Sequence, residues 1–227
     1  WQAAFYQAAI APSDMQVLVV SDRPERYRAL GSNVQTLQIA ANQVSDWSLA
    51  GQYHFRVKSQ ALIYATQQIK SDKYLFTDSD IVLRPGGMGY LLAAISEKTC
   101  VLFRNEGRIL GRKRFAPYHN WVSNPATEMW GSAIIGLTRQ NTQILTQADD
   151  LLLKLLKSVD AHTVEQFSLS ETAVVAGLDL VEGRKWTQHF STSGRRRYAQ
   201  ARLSPIFDLP ESKWVAACLT ATPMRGF

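Results

Sequence analysis

This sequence predicts an α/β fold: a three-layer sandwich with a mostly parallel central sheet and helices on both faces. Three observations carry that prediction. Extended and helical hydrophobic patterns alternate along the chain, and helical crossovers of that kind join parallel strands. The 227 residues, 46% hydrophobic and 19% charged, suit one domain with a sizeable core. An apolar run in the segment YLFTDSDIVL ends in Asp78 and Asp80. Ligands usually bind at the carboxyl ends of strands in such sheets.

The elements follow in order. Residues 2–11 look like the end of a helix. Residues 15–20, MQVLVV, form a short apolar strand that stops at the turn SDRPE. Residues 34–39 form a weaker strand. Residues 55–69 have helical apolar spacing and lead into the strand YLFT. Gly86, Gly87 and Gly89 break the chain before a helix at 90–95. Residues 100–103 are a strand, and 107–124, rich in Gly and cations, read as a long surface loop. Residues 132–137 form an apolar strand. Helices at 145–159 and 164–176 precede short strands at 178–181 and 186–190. No linker, repeat or low-complexity tract interrupts this order. One domain over 1–227 is expected.

Composition narrows the function classes. No stretch reaches the roughly 18 to 20 apolar residues of a membrane span. The start, WQAAFYQAAIAPSD, lacks the basic and apolar regions of a signal peptide. It also lacks an initiator Met, as a piece of a longer chain would. Cys100 and Cys218 have no metal-ligand spacing and read as reduced thiols, which points to a cytoplasmic setting. A net charge of +6 favours an anionic partner: a nucleotide, a phosphate or an acidic membrane surface approached peripherally. Nucleic acid is not expected, because the cations are not interleaved with aromatics in a stripe.

Side chains two apart on an extended backbone point the same way, so Asp78 and Asp80 can converge at a strand end. Two carboxylates that close repel unless a cation or a proton sits between them. A hard divalent ion, Mn²⁺ or Mg²⁺, is the natural partner. The plainer reading is a turn with two solvated aspartates, but the apolar run before them argues for a site.

The segment FRVKSQALIYATQQIKSDKYLFTDSDIVLRPG resembles the centre of the GT-A-fold glycosyltransferases, which use nucleotide-diphospho-sugar donors and carry a DxD motif. MWGSAIIGL is similar to the family's strand with an NxG start, although Trp130-Gly131-Ser132 replaces the Asn. TVEQFSLSETA resembles its acidic-Gln helix start, and WTQHFSTSGRRRY its His-containing segment. These matches point to the glycogenin-like and lipopolysaccharide galactosyltransferase-like branch. The family's first strand is not evident, so the chain reads as beginning after it.

The resemblance implies a metal-dependent hexosyltransferase with a UDP-sugar donor and a glycan, lipid or protein hydroxyl as acceptor. It implies Asp78, Asp80 and His189 as metal ligands, with Asp78 shared between the metal and the donor ribose. Arg56, Lys58 and Ser132 fall on donor-side positions. Arg195 and Arg196, with Arg197, follow a hydroxyl-rich turn and could wrap a diphosphate through paired guanidinium bonds. Glu165 and Gln166 fall beside the reacting carbon.

Plainer roles stand beside these. His189 could be a packing histidine, and the cations could be exposed surface. Thr163 and Gln166 could form a capping box. Tyr118, Trp121 and Trp130 could stack on a sugar, though such aromatics are more often core. Gly107, Gly111 and His119 would suit a mobile lid. Two other functions compete. One is a haloacid-dehalogenase-like phosphatase with Asp78 as nucleophile, Thr138 at a second strand end, and the weak acidic pair Asp149-Asp150. The other is a non-catalytic nucleotide- or carbohydrate-binding module.

Overall fold

The structure, a computed structural model, describes residues 15–30, 34–84, 86–213 and 216–217. The expected helix at 2–11 and Cys218 lie outside them. The strands are β1 (Val17–Ser21), β2 (Val34–Gln38), β3 (Lys73–Thr77), β4 (Ile81–Leu83), β5 (Thr99–Arg108), β6 (Glu128–Thr138), β7 (Asp179–Glu182) and β8 (Thr187–His189). The helices are α1 (Ala41–Trp47), α2 (Arg56–Gln68), α3 (Gly87–Ala94), α4 (Gln143–Leu155), α5 (Val164–Val175) and α6 (Ser193–Phe207). The chain divides into two compact units: a larger one of residues 42–78 and 90–185, and a smaller one of residues 1–41, 79–89 and 186–227.

The larger unit holds a four-stranded sheet in the order β3-β6-β5-β7. The α/β sandwich is as predicted, but this sheet is mixed. β5 and β7 run parallel, while β6 is antiparallel to both β3 and β5. The physical reason lies in the connection. β5 extends to Arg108, and a 3₁₀ turn at Lys113–Trp121, not a crossover helix, carries the chain into β6. A strand that returns without a helical crossover pairs antiparallel. Periodicity identifies a strand but not its direction.

One face of the sheet presents Cys100, Leu102, Ile135 and Leu137 to Leu62 of α2, Leu145 and Ala148 of α4, and Leu169 and Ala173 of α5. The other face meets Ile95, just past α3. A Cβ on Gly136 would stand 2.8 Å from the Ile95 Cδ1 atom. Glycine at that point lets the helical layer sit against the strand. Burial raises the Cys100 thiol pKa to about 12, which keeps it protonated and inert. A second cluster, with Ile109, Phe115, Tyr118, Met129 and Phe167, anchors the β5–β6 excursion to α4 and α5. The expected lid is therefore rooted in core. Fully burying each large apolar side chain there contributes about 1.5–3 kcal/mol.

In the smaller unit β1 and β2 pair in parallel, Val17 opposite Val34. β4 and β8 pair antiparallel, with Ile81 opposite His189. α6 begins at the capping hydroxyl of Thr192, which accepts the Arg195 amide. Ser193 and Gly194, expected in the hydroxyl-rich turn before the arginines, thus lie with them in the first turn of a helix.

Candidate functional site

Backbone ladders place both aspartates. The Asp78 amide donates to the Ala133 carbonyl at 2.9 Å, one step beyond the β3–β6 ladder in the larger unit. In the smaller unit the Phe190 amide donates to the Asp80 carbonyl at 2.9 Å, one step beyond the β4–β8 ladder. Ser79 and Asp80 form a turn. The DxD pair therefore brackets a turn and does not occupy alternate positions of one strand.

Two nitrogen donors approach the Asp80 carboxylate. His189 Nε2 lies 3.2 Å from Asp80 Oδ1, and Arg196 Nη2 lies 3.7 Å from Oδ2. The His189 hydrogen bond, and then the charges of His189 and Arg196, lower the Asp80 pKa below its ordinary value against the opposing effect of partial burial. Strand pairing brings together two residues that lie far apart in sequence.

The larger unit holds a closed ionic network. Lys58 Nζ, on the first turn of α2, donates to Ser132 Oγ at 2.8 Å and to the Ser132 carbonyl at 3.2 Å. It also faces Glu165 Oε2 at 3.4 Å and Asp78 Oδ1 at 3.7 Å. Ser132 Oγ donates onward to Glu165 Oε2 at 2.6 Å. Glu165 is only 3% exposed, and its Oε1 has no hydrogen-bond partner. Its amide donates to the Tyr53 hydroxyl at 2.9 Å, and that hydroxyl donates to the His162 carbonyl at 3.0 Å. Burial raises the Tyr53 pKa, so the hydroxyl keeps its proton. Lys58, Ser132 and Glu165, all expected site residues, are brought together here. Tyr53 was not expected, and no local pattern could have flagged a partner more than a hundred residues away.

Other expected residues have different surroundings. Arg56 binds Asp149 with Nε–Oδ1 at 2.7 Å and Nη2–Oδ2 at 2.8 Å, a paired contact that ties α2 to α4. Gln166 lies beside Glu165 on α5 with a buried, unpartnered Oε1. The capping box is absent: Thr163 makes no side-chain cap, and its hydroxyl pairs with that of Tyr118 at 2.6 Å. Tyr118 stacks on Phe167, Trp130 is core, and Trp121 packs against the second cluster. The His119 ring pairs with the Ile109 carbonyl. Arg195 and Arg196 reach the carbonyls of His189 and Phe190. Arg197 is exposed on the same turn.

The phosphatase reading fails on this geometry. Thr138 lies opposite Lys73, at the far end of β3 from Asp78. Five residues of strand separate the two ends, about 17 Å. Asp149 is taken up by Arg56.

Among the described residues, Asp80 and His189 of the smaller unit supply a carboxylate and an imidazole of the kind that could hold a metal ion, and Asp78 stands at the end of β3 in the larger unit. The chemistry fits a divalent cation. An imidazole in the set suits Mn²⁺ better than Mg²⁺.

The fold is of the GT-A type. Among solved structures, the chain is similar to the galactosyltransferase LgtC in complex with donor and acceptor sugar analogs. The TM-score is 0.54, with 10% identity over 78% of this chain and 69% of that one. No family model and no curated protein matches the sequence.

Proposed function

We propose that this chain is a metal-dependent glycosyltransferase that moves a hexose from a nucleotide-diphosphate donor, a UDP-sugar, to a hydroxyl acceptor. The observation that carries the reading is the Asp80–His189 pair, which the β4–β8 ladder brings together, within a GT-A-type fold. Asp78, tethered to Asp80 through Ser79, completes the proposed ligand set. When bound, the cation would neutralise the charge that develops on the departing diphosphate.

The chain's own residues have these roles in the proposal. Arg195 and Arg196 bind diphosphate oxygens from the first turn of α6. An anion at that helix end is also favoured by the helix dipole, which three arginines alone oppose. Lys58 holds Asp78 and Glu165 through its contacts at 3.7 and 3.4 Å. Glu165, buried and paired with Lys58 and Ser132, fixes the position of Lys58 behind Asp78, and Gln166 lies beside it on α5. Arg56 fixes the start of α2, so its link to the donor runs through Lys58. The acceptor is a glycan, lipid or protein hydroxyl, and the whole chain acts as one catalytic domain.

The test is release of UDP from UDP-sugars with Mn²⁺ present, for the native chain and for Asp80→Ala. Metal-dependent turnover that the variant loses supports the proposal. Nucleotide binding without turnover would make the chain a binding module instead, and turnover indifferent to chelators would remove the metal from the mechanism.

A further inference from the structure

The excursion between β5 and β6 concentrates charge that the proposed reaction does not use. Residues 107–127 contain Arg108, Arg112, Lys113 and Arg114, and no Asp or Glu. Those four charges compare with a net +6 for the whole chain. The flanking acids are already engaged. Glu106 pairs with Arg104 at 2.7 Å, and Glu128 accepts the Asn105 amide.

The tip has a fixed shape. Ile109, Phe115 and Tyr118 are buried and root it in core. Gly107 and Gly111 turn the chain with φ of 92° and 79°. Arg112 and Arg114 both donate to the Glu106 carbonyl and fold the segment back on itself. Each guanidinium keeps further donors. Arg108, Arg112, Lys113 and Arg114 are all exposed, and Leu110 points out among them with 38% exposure. It is one of three exposed large hydrophobics among the described residues.

We propose that this tip, Arg108 to Arg114 around Leu110, is a docking surface for an anionic lipid bilayer. The cations would meet headgroup phosphates and Leu110 would enter the acyl boundary. A soluble polyanion gains from the cations but not from an exposed leucine, whereas a bilayer gains from both. Nucleic acid is disfavoured because Phe115 and Tyr118, the aromatics nearest the cations, are buried and cannot stack on bases. A single basic tip gives weak, salt-sensitive, reversible attachment. The inference stands apart from the transferase reading, since none of these side chains belongs to the proposed reaction.

The experiment is co-sedimentation of the full chain with phosphatidylserine–phosphatidylcholine vesicles, against phosphatidylcholine alone, across a salt series. The native chain should bind only the anionic vesicles and lose binding as salt rises. Each cation removed should weaken binding about fivefold, so Arg112→Gln, Lys113→Gln and Arg114→Gln together should weaken it about a hundredfold. Leu110→Ser should weaken vesicle binding several-fold and leave polyphosphate binding unchanged. Circular dichroism of each variant controls for folding. Asp80→Asn should bind vesicles as the native chain does, which separates this proposal from the metal site. Equal sedimentation with neutral vesicles, or native-like binding by the triple variant, would overturn the proposal. So would a Leu110→Ser variant that binds vesicles as tightly as the native chain, since the surface would then fit soluble polyanions.

Discussion

Asp80 and Lys58 are both charged, and both sit beside groups of opposite sign, yet they answer to different pressures. Asp80, in the smaller unit, has a side chain 29% exposed and lies beside His189 and a mostly exposed Arg196. Lys58, in the larger unit, is 14% exposed, and its partner Glu165 is 4% exposed. Partly open carboxylates contribute little to stability. A buried ion pair that loses one member leaves the other charge uncompensated, at a cost of several kcal/mol. Removing the Asp80 carboxyl should therefore leave the fold largely intact, whereas the Lys58 group is bound up with the fold.

The largest expected effect lies on the open side. Asp80→Asn should lower Mn²⁺-dependent sugar transfer about a thousandfold, equivalent to about 4 kcal/mol of transition-state stabilisation. It should change the unfolding free energy of chelator-treated protein, read from urea melts, by less than about 1 kcal/mol. A variant that keeps full activity, or one that unfolds, would erase the contrast between the two regions.

Next comes the closed side. Lys58→Met should destabilise the chain by about 3 kcal/mol, read from urea melts, because Glu165 would then be buried without its cation. The double variant Lys58→Met with Glu165→Leu should recover most of that loss while remaining inactive. If the single variant costs less than about 1 kcal/mol, the network is weaker than its distances suggest. Ser132→Ala is smaller again. It removes the 2.6 Å bond to Glu165 and one Lys58 contact but keeps the ion pair, and should cost about 1 to 1.5 kcal/mol.

The same contrast explains what the sequence could and could not reveal. The apolar run before Asp78 and the amphipathic pattern of α4 are local, and both appear where periodicity put them. The Lys58 position was legible as a cation on the first turn of α2. Its partners Ser132 and Glu165 were expected site residues individually, but their contact depends on α5 packing against β6, which no local pattern encodes. Arg56 looked the same as Lys58 from sequence. Only the packing of α2 on α4 gives it Asp149. The stretch from Ser191 to Gly194 before the arginines reads as a turn because it is rich in hydroxyls and ends in Gly. The Thr192 hydroxyl instead caps a helix that starts at Ser193. The approach of His189 to Asp80 follows from the β4–β8 register, and only the family resemblance hinted at it.

The smallest expected effect concerns pH, and its sign follows from the surroundings of Asp80. Hydrogen bonding from His189, then the charges of His189 and Arg196, hold its folded-state pKa below the ordinary 3.8. A depressed carboxyl contributes stability that is fully present above the unfolded value and fades as pH falls through the folded one. In chelator-treated protein, the stability difference between native and Asp80→Asn should therefore stay flat near neutrality. It should shrink only below about pH 4, and remain under about 1 kcal/mol because the site is open to solvent. His189→Gln should weaken this dependence more than Arg196→Gln, since the imidazole is the closer partner at 3.2 Å against 3.7 Å. A difference that instead grew as pH fell would mean that the folded chain holds Asp80 protonated. A protonated carboxyl is a poor ligand for a hard cation, so that outcome would remove the exposed pair from the metal site while leaving the enclosed Lys58 network as described.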